Sequence, residues 1–388
     1  STSDRVVCLI AGTVQEIGGA VELIDMNDVE GYGITASTDD TNNELLYYHL
    51  SEMFRLAPES KFWLICVPKT TTVAQLVADE SVKAAIRSIP GCNVIGIAGL
   101  ATPVANALVD AVALQSLVDG FANEYRYIDG VFVEGVGDAE GNVYPDLRSI
   151  EAPNISYVIA QDPAIAGMKS QYALHAAVGT ALGSVAVRKI HEDIGSVDIE
   201  QKPRSRRGQE NYSLSDSKLG RWLSAALSDG SPFSELTAGD QYSLTASGFM
   251  YVGSFENYPG FYWNGCPTAV NHDSDYAYFN FNCIWNKAAR IIRNTLIPLV
   301  RSKVPTDPET GYLKSTWVSG CESKVKAALD RMIAEGNIED MDVYINPAQT
   351  IGENNPLEIR CSLVVGRIVH EFSVDLGLVN NSPAPRPV

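Results

Sequence analysis

Hydrophobic positions along this chain follow two rhythms. Nearly unbroken apolar runs occur in DRVVCLIAGT (4–13), KFWLICVP (61–68), NVIGIAGL (93–100), YIDGVFVEGV (127–136) and ISYVIAQDP (155–163). Runs of this kind, bounded by Gly or Pro, are what a strand covered on both faces requires. Between them apolar residues return at helical spacing. In NNELLYYHLSEMFRLAP (42–58) these are Leu45, Leu46, Tyr48, Leu50, Met53 and Phe54. VAQLVADESVKAAIRSI (73–89) and PVANALVDAVALQSLVDGFANEY (103–125) read the same way, and GAVELIDMNDVEGYGI (19–34) reads as a short strand with an acidic connection. Strand and helix thus alternate through residue 136, and 155–163 continues the series. The pattern predicts an α/β fold with a mostly parallel sheet.

The rhythm then changes. YALHAAVGTALGSVAVRKIHEDIG (172–195) predicts a small-residue helix broken near Gly179 or Gly183. DIEQKPRSRRGQENYSLSD (198–216) has no apolar period and reads as an exposed loop; its Arg204, Arg206 and Arg207 could hold an anion or simply be solvated. FMYVGSFENYPGFYWNG (249–265) predicts strand, turn and strand, and 266–280 is irregular. NCIWNKAARIIRNTLIPLVRS (282–302) predicts an amphipathic helix. Trp285, Ala288, Ile292, Leu296 and Leu299 share one face, while Lys287, Arg290, Arg293 and Arg301 gather toward the other. A second helix spans 317–338, stopped by Gly336, and strands follow at 342–347 and 357–366.

The end of the chain is patterned with a period of two. Ile368, His370, Phe372, Val374 and Leu376 alternate with Val369, Glu371, Ser373, Asp375 and Gly377. That predicts a strand with one covered face over 368–379. Unpaired N–H and C=O groups on such a strand recruit other chains. It must therefore pair within its own domain, as a hairpin turned at Gly366 and Arg367, or with a neighbour. By composition the tail NNSPAPRPV reads as disordered.

Charge and chemistry narrow the function. The net charge of −18 argues against nucleic acid as a partner. Residues 286–331 run the other way, with nine basic and four acidic side chains, or +5. Seven cysteines, with no CxxC, suggest neither a disulfide framework nor zinc and read as reduced core residues. No secretory signal and no membrane span is read, so no direct membrane insertion is expected.

No residues assemble into a catalytic set. GVGDAEG (135–141) has the wrong spacing for a dinucleotide loop, and Pro145 stands where its helix would run, so it reads as a turn. NHDSD (271–275) offers His272, Asp273 and Asp275, with no further ligand at matching spacing. His49, His175, His191 and His370 are scattered and read as packing residues. GxSxG, HExxH and P-loop motifs are absent. No enzyme activity, cofactor or metal is expected.

The order of landmarks carries more than any single one. VVCLIAGT…GGAVELIDMNDVEGYGI, FWLICVP, VIAQDP, ALHAAVGTALGSVAVRKIHEDIGSV, NKAARIIRNTLIPLV and AEGNIEDMDVYINP follow one another. This series resembles contractile tail sheath proteins of bacteriophages, of the DUF2586 type, over nearly the whole chain. The family usually has an extension before its first core strand; here that strand begins almost at once. The resemblance implies three parts: an N-terminal strand region (1–30) packing with the C-terminal domain, an outer α/β domain (31–270), and an inner domain (271–388) of two helices and strands shared between subunits. It implies that 368–379 is lent to a neighbour and that Ile359, Cys361, Leu363 and Val365 lie on the accepting strand, by β-augmentation.

It further implies a helical homo-polymer around a tail tube protein, meeting baseplate and tail terminator proteins. Such a subunit assembles in the bacterial host cytoplasm, is carried in the virion and contracts to drive the tube through an envelope. On that reading Lys287, Arg290, Arg293 and Arg301 face the tube. An injection system or tailocin is the near alternative. A cytoplasmic α/β enzyme or ligand-binding protein is the alternative of another class.

Overall fold

Val7, Leu9 and Ala11 are buried on one side of a sheet and Cys8 and Ile10 on the other. This double burial is why strand β1 (Val7–Gly12) has no polar position. The computed structural model describes residues 4–370. From β1 the chain passes through β2 (Ala20–Leu23) and helices α1 (Met26–Gly31), α2 (Ala36–Asn42) and α3 (Leu46–Leu56) to β3 (Phe62–Val67). Helices α4 (Val73–Ala78) and α5 (Glu80–Ser88) lead to β4 (Val94–Ala98), α6 (Ala107–Asn123) leads to β5 (Gly130–Glu134), and β6 (Ile155–Val158) follows. Short elements come next: β7 (Ala160–Gln161), α7 (Pro163–Ala166), α8 (Val178–Val187), β8 (Ala226–Leu227), α9 (Ala238–Ala246), β9 (Phe249–Met250), β10 (Val252–Gly253) and β11 (Tyr262–Trp263).

The main sheet has the order β2-β3-β1-β4-β5-β6-β9. β2 pairs antiparallel at its edge and every other pairing is parallel. The expected α/β class and parallel sheet are present. Residues 1–30 are not a separate part, however, because β1 lies inside the sheet. Burial on both faces places it there. Asp4 and Arg5, just before β1, do touch the C-terminal region.

Helix α8 packs on α3 through two glycines. A Cβ at Gly179 would stand 2.3 Å from the His49 carbonyl oxygen, and one at Gly183 would stand 3.0 Å from that of Glu52. These glycines do not break the helix; they let two backbones touch. The helix is shorter than the expected 172–195, and the chain on either side is turn and loop. Within 198–216 the polar pattern also misleads, since Ile199, Tyr212 and Leu214 are buried. Residues Val104–Asn123 are, contrary to expectation, long and apolar enough to cross a membrane. In this fold they lay Ala107, Ala111, Leu114 and Phe121 on the sheet as a core helix.

The last part contains α10 (Phe279–Leu296), α11 (Ser315–Ala334), β12 (Asp340–Tyr344) and β13 (Arg360–Val364). Helix α10 ends before Pro298, which sits in a following 3-10 turn, so the expected run to 302 is cut short. Gly336 follows α11 with φ of 75°, the left-handed stop its position predicts. β12 and β13 pair antiparallel, with Val343 opposite Cys361.

Candidate functional site

Two regions carry the residues singled out in the sequence: the β12–β13 ladder, and α10 with its following loop. On β13 and its flanks, Ile359, Cys361, Leu363 and Val365 are half-buried against the core, while Arg360, Ser362 and Val364 face out. The alternation is that of a strand with one covered face. Among the described residues no strand flanks β13 on its other edge. Ile368 and His370 belong to no strand; Ile368 is half-buried and His370 is exposed, its ring 5.8 Å from that of Tyr278. His370 therefore does not lie on a covered face within this chain. Phe372, Val374 and Leu376 lie outside the described residues.

The basic residues of α10 do not form one outward surface. Lys287 is buried, and its ammonium donates to Asp4 Oδ2 (2.8 Å), Glu335 Oε2 (2.5 Å) and Asn337 Oδ1 (2.8 Å). An amphipathic pattern reads a lysine away from the apolar stripe as solvated, but here three acceptors from two distant segments enclose it. Arg290 places Nη1 3.6 Å from Oδ1 of Asp129, which is wholly buried. Burial pushes the Asp129 carboxyl up, and Arg290 and Arg5 pull it back. Arg293 sits 3.9 Å over the Tyr125 ring. Arg301 alone of the four is exposed. Lys303, Lys314 and Lys324 are also exposed, and none of these last four makes an ion pair among the described residues. Ile297, Val300 and Tyr312 expose apolar surface in the same connection.

Sequence reasoning missed the partners Asp4, Asp129 and Glu335. No local pattern marks them, because each is defined by a residue far along the chain.

The weighed chemical motifs resolve into structure. In the GVGDAEG loop Gly137 lies against the Ser228 backbone and Asp138 caps the turn. His272 and Asp273 are exposed, and no cluster of metal-ligating residues occurs among the described residues. Arg206 stacks 4.6 Å from the Tyr212 ring and donates to the Ser213 carbonyl, so it holds the 198–216 segment in place. Arg148 is buried and donates to the carbonyls of Thr268, Val270 and Ala277, clamping the segment that enters α10. All seven cysteines are free thiols. Burial pushes the Cys66 and Cys92 thiols up to about 12.

Two family models match the chain. The DUF2586 N-terminal domain matches residues 1–267, and the DUF2586 C-terminal domain matches residues 275–382. No curated protein matches the chain. Among solved structures, a chain of the anti-feeding prophage baseplate aligns with a TM-score of 0.62 at 12% identity, covering 97% of this chain and 94% of that one. The sheath tail protein from Desulfitobacterium hafniense aligns with a TM-score of 0.52 at 9% identity, covering 94% of this chain and 97% of that one. At these identities the likeness is one of fold.

Proposed function

The chain belongs to the DUF2586 family, and from that premise we propose that it is a structural subunit of a contractile tail sheath, polymerising helically around an inner tube. The fold it shares along its length with a sheath tail protein and with a baseplate chain supports a structural role over a catalytic one. Heterologous contacts that do not close generate such helical polymers. Contraction would release free energy held behind a kinetic barrier, with no nucleotide involved.

The observation that carries the reading is the edge of β13, unflanked among the described residues, followed at once by the period-two segment 368–379. A strand lent by one copy to the β12–β13 ladder of the next would keep subunits tied while they rotate. Backbone hydrogen bonds would supply affinity, and the half-buried face of Ile359, Cys361, Leu363 and Val365 would set register. The tube-facing surface we propose is centred on Arg301, Lys303, Lys314 and Lys324. Lys287 serves inside the subunit. The tube surface opposite would be acidic, with contacts of roughly 0–1 kcal/mol each and so releasable. Tail terminator and baseplate proteins would cap the polymer, within a phage or a phage-like injection particle made in a bacterial host.

Negative-stain microscopy of the purified chain tests this. Tubes or stacked rings are expected. A monomer or small closed oligomer at every concentration and salt would refute it.

A further inference from the structure

In an open parallel sheet, the crevice beyond the carboxyl ends of strands whose connections run to opposite sides is the usual place for a small ligand. Here β1 pairs with β3 on one side and β4 on the other. A cleft of about 240 Å³ lies beyond their carboxyl ends and that of β5, its walls including Glu44, His49, Lys69, Glu134, Tyr172 and His175. None of these residues takes part in the proposed assembly surfaces.

The polar accounting of this cleft is one-sided. Glu44, His49, Glu134 and His175 are each less than 8% exposed, so what they lack must be supplied inside the cleft. Glu44 is satisfied: it accepts from the Thr13 hydroxyl and the Val14 N–H, and Lys69 balances its charge at 3.1 Å. His49 accepts the Gly179 N–H at Nδ1. His175 has Nδ1 2.7 Å from the Tyr172 carbonyl, so that nitrogen carries the proton and Nε2 is the acceptor. This Nε2 is buried with no hydrogen-bond partner among the described residues. Glu134 accepts N–H groups from Gly99 (2.7 Å) and Ala176 (3.3 Å), and no cation stands within ion-pair distance among the described residues. Among these four side chains, the Glu134 carboxylate is left without a counterion and the His175 Nε2 acceptor without a hydrogen-bond partner among the described residues. What satisfies both is a compact cation with several N–H donors.

We propose that the cleft at the carboxyl ends of β1, β4 and β5 binds a primary ammonium or guanidinium group, with Glu134 supplying the countercharge and His175 accepting a hydrogen bond. The group comes from a free small amine or guanidine, or from a Lys or Arg side chain of a second copy of this chain. Burial, which pushes Glu134 up to about 7, is what the arriving cation would offset.

The test uses the full chain labelled with ¹⁵N in histidine, unassembled, at mildly alkaline pH. Guanidinium and methylammonium chloride are titrated at concentrations far below denaturing. Tetramethylammonium chloride, which has charge but no N–H, is the control. The His175 Nε2 resonance is expected to move saturably with the first two and not with the third. Glu134→Gln, which keeps an oxygen for the Gly99 N–H, is expected to weaken binding roughly tenfold. Should that variant not fold, the titration of the unaltered chain still decides. In particles freed of small amines, a resonance already at its bound position assigns the cation to a neighbouring copy; one that moves only on addition assigns a free amine. A resonance that ignores both N–H cations, or follows all three salts alike, overturns the proposal. Because the titration that decides binding is made on unassembled chain, it stands apart from whether the chain forms tubes; only the arm that assigns the source of the cation uses particles.

Discussion

Lys287 Nζ lies 2.8 Å from Asp4 Oδ2, joining residues 283 apart in sequence. The same ammonium meets Glu335, so helix α10 is tied at once to the approach to β1 and to the end of α11. Lys287→Met should destabilise the subunit by about 2 kcal/mol. Two carboxylates would lose their common partner, while their partial exposure lets water compensate part of the loss. Urea unfolding of unassembled chain measures this. The Glu335 carboxyl, held low chiefly by its hydrogen bond to Lys287, should rise in the same variant.

Arg290 and Arg301 look alike in the sequence and should behave differently when reversed. Arg290→Glu sets a second carboxylate beside buried Asp129, whose charge Arg290 helps balance. We expect a loss of about 3 kcal/mol or failure to fold. Arg301→Glu with Lys303→Glu touches no ion pair among the described residues and should leave the melting temperature nearly unchanged, while weakening co-assembly with an acidic tube at moderate salt. Equal melting losses in the two variants would contradict this assignment.

Gly179→Ala should cost at least about 2 kcal/mol, because the added methyl meets backbone atoms of His49 that cannot swing aside. Gly183→Ala, with contacts near 3.0 Å, should cost less. Denaturant midpoints of the two variants give the ranking.

The sheet was legible because double burial writes itself as unbroken apolar runs, as in Phe62–Val67 and Val94–Ala98. A strand was also legible within 357–366, where the structure places β13. Features set by distant segments were not. Gly179 carries the signature of a helix breaker, and only the approach of α3 turns it into a packing contact. Lys287 carries the signature of a solvated residue, and only Asp4, Glu335 and Asn337 make it internal. Tyr212 sits in a polar stretch, and its burial follows from its hydroxyl reaching the Leu56 carbonyl. The sequence reading found no site in the cleft, since Glu134 and His175 line one cleft only when β5 and the segment before α8 come together.

Buried titratable groups set an unusual response to pH. Burial raises Asp39 and Glu134 to about 7 and lowers His49 to about 3 and His175 to about 4. Between about pH 6.5 and 8 the folded histidines are neutral and each unfolded one holds at most about half a proton, less than each raised carboxyl keeps when folded, so their opposing slope is the smaller one. There the folded carboxyls hold protons that the unfolded chain has released, so stability rises as pH falls. Below about pH 6.5 the unfolded histidines take up protons that the folded ones refuse, which opposes further gain. Melting temperature should therefore be higher at pH 6.5 than at pH 8, with Glu134→Gln and Asp39→Asn each flattening that difference. A melting temperature that climbs steadily from pH 6.5 to 8 would contradict the assignment.

Removal of residues 368–388 separates folding from assembly. Among the described residues the β12–β13 ladder lies before them, its register running from Asp340 opposite Val364 to Tyr344 opposite Arg360. Among the described residues, Ile368–His370 contribute little to the fold beyond the His370 contact with Tyr278. The shortened chain should therefore keep its secondary structure by circular dichroism and its melting temperature within a few degrees. If 368–379 is the strand lent to a neighbour, each subunit loses a ladder of backbone hydrogen bonds that side-chain contacts at exposed surfaces cannot replace, and tubes should not form under conditions where the full chain assembles. Mixing shortened and full-length chains should shorten the tubes in proportion, because each shortened copy can still accept a strand and cannot pass one on. Tubes of unchanged length and helical order from the shortened chain alone would remove strand donation from the account and leave the polymer to be explained by surface packing.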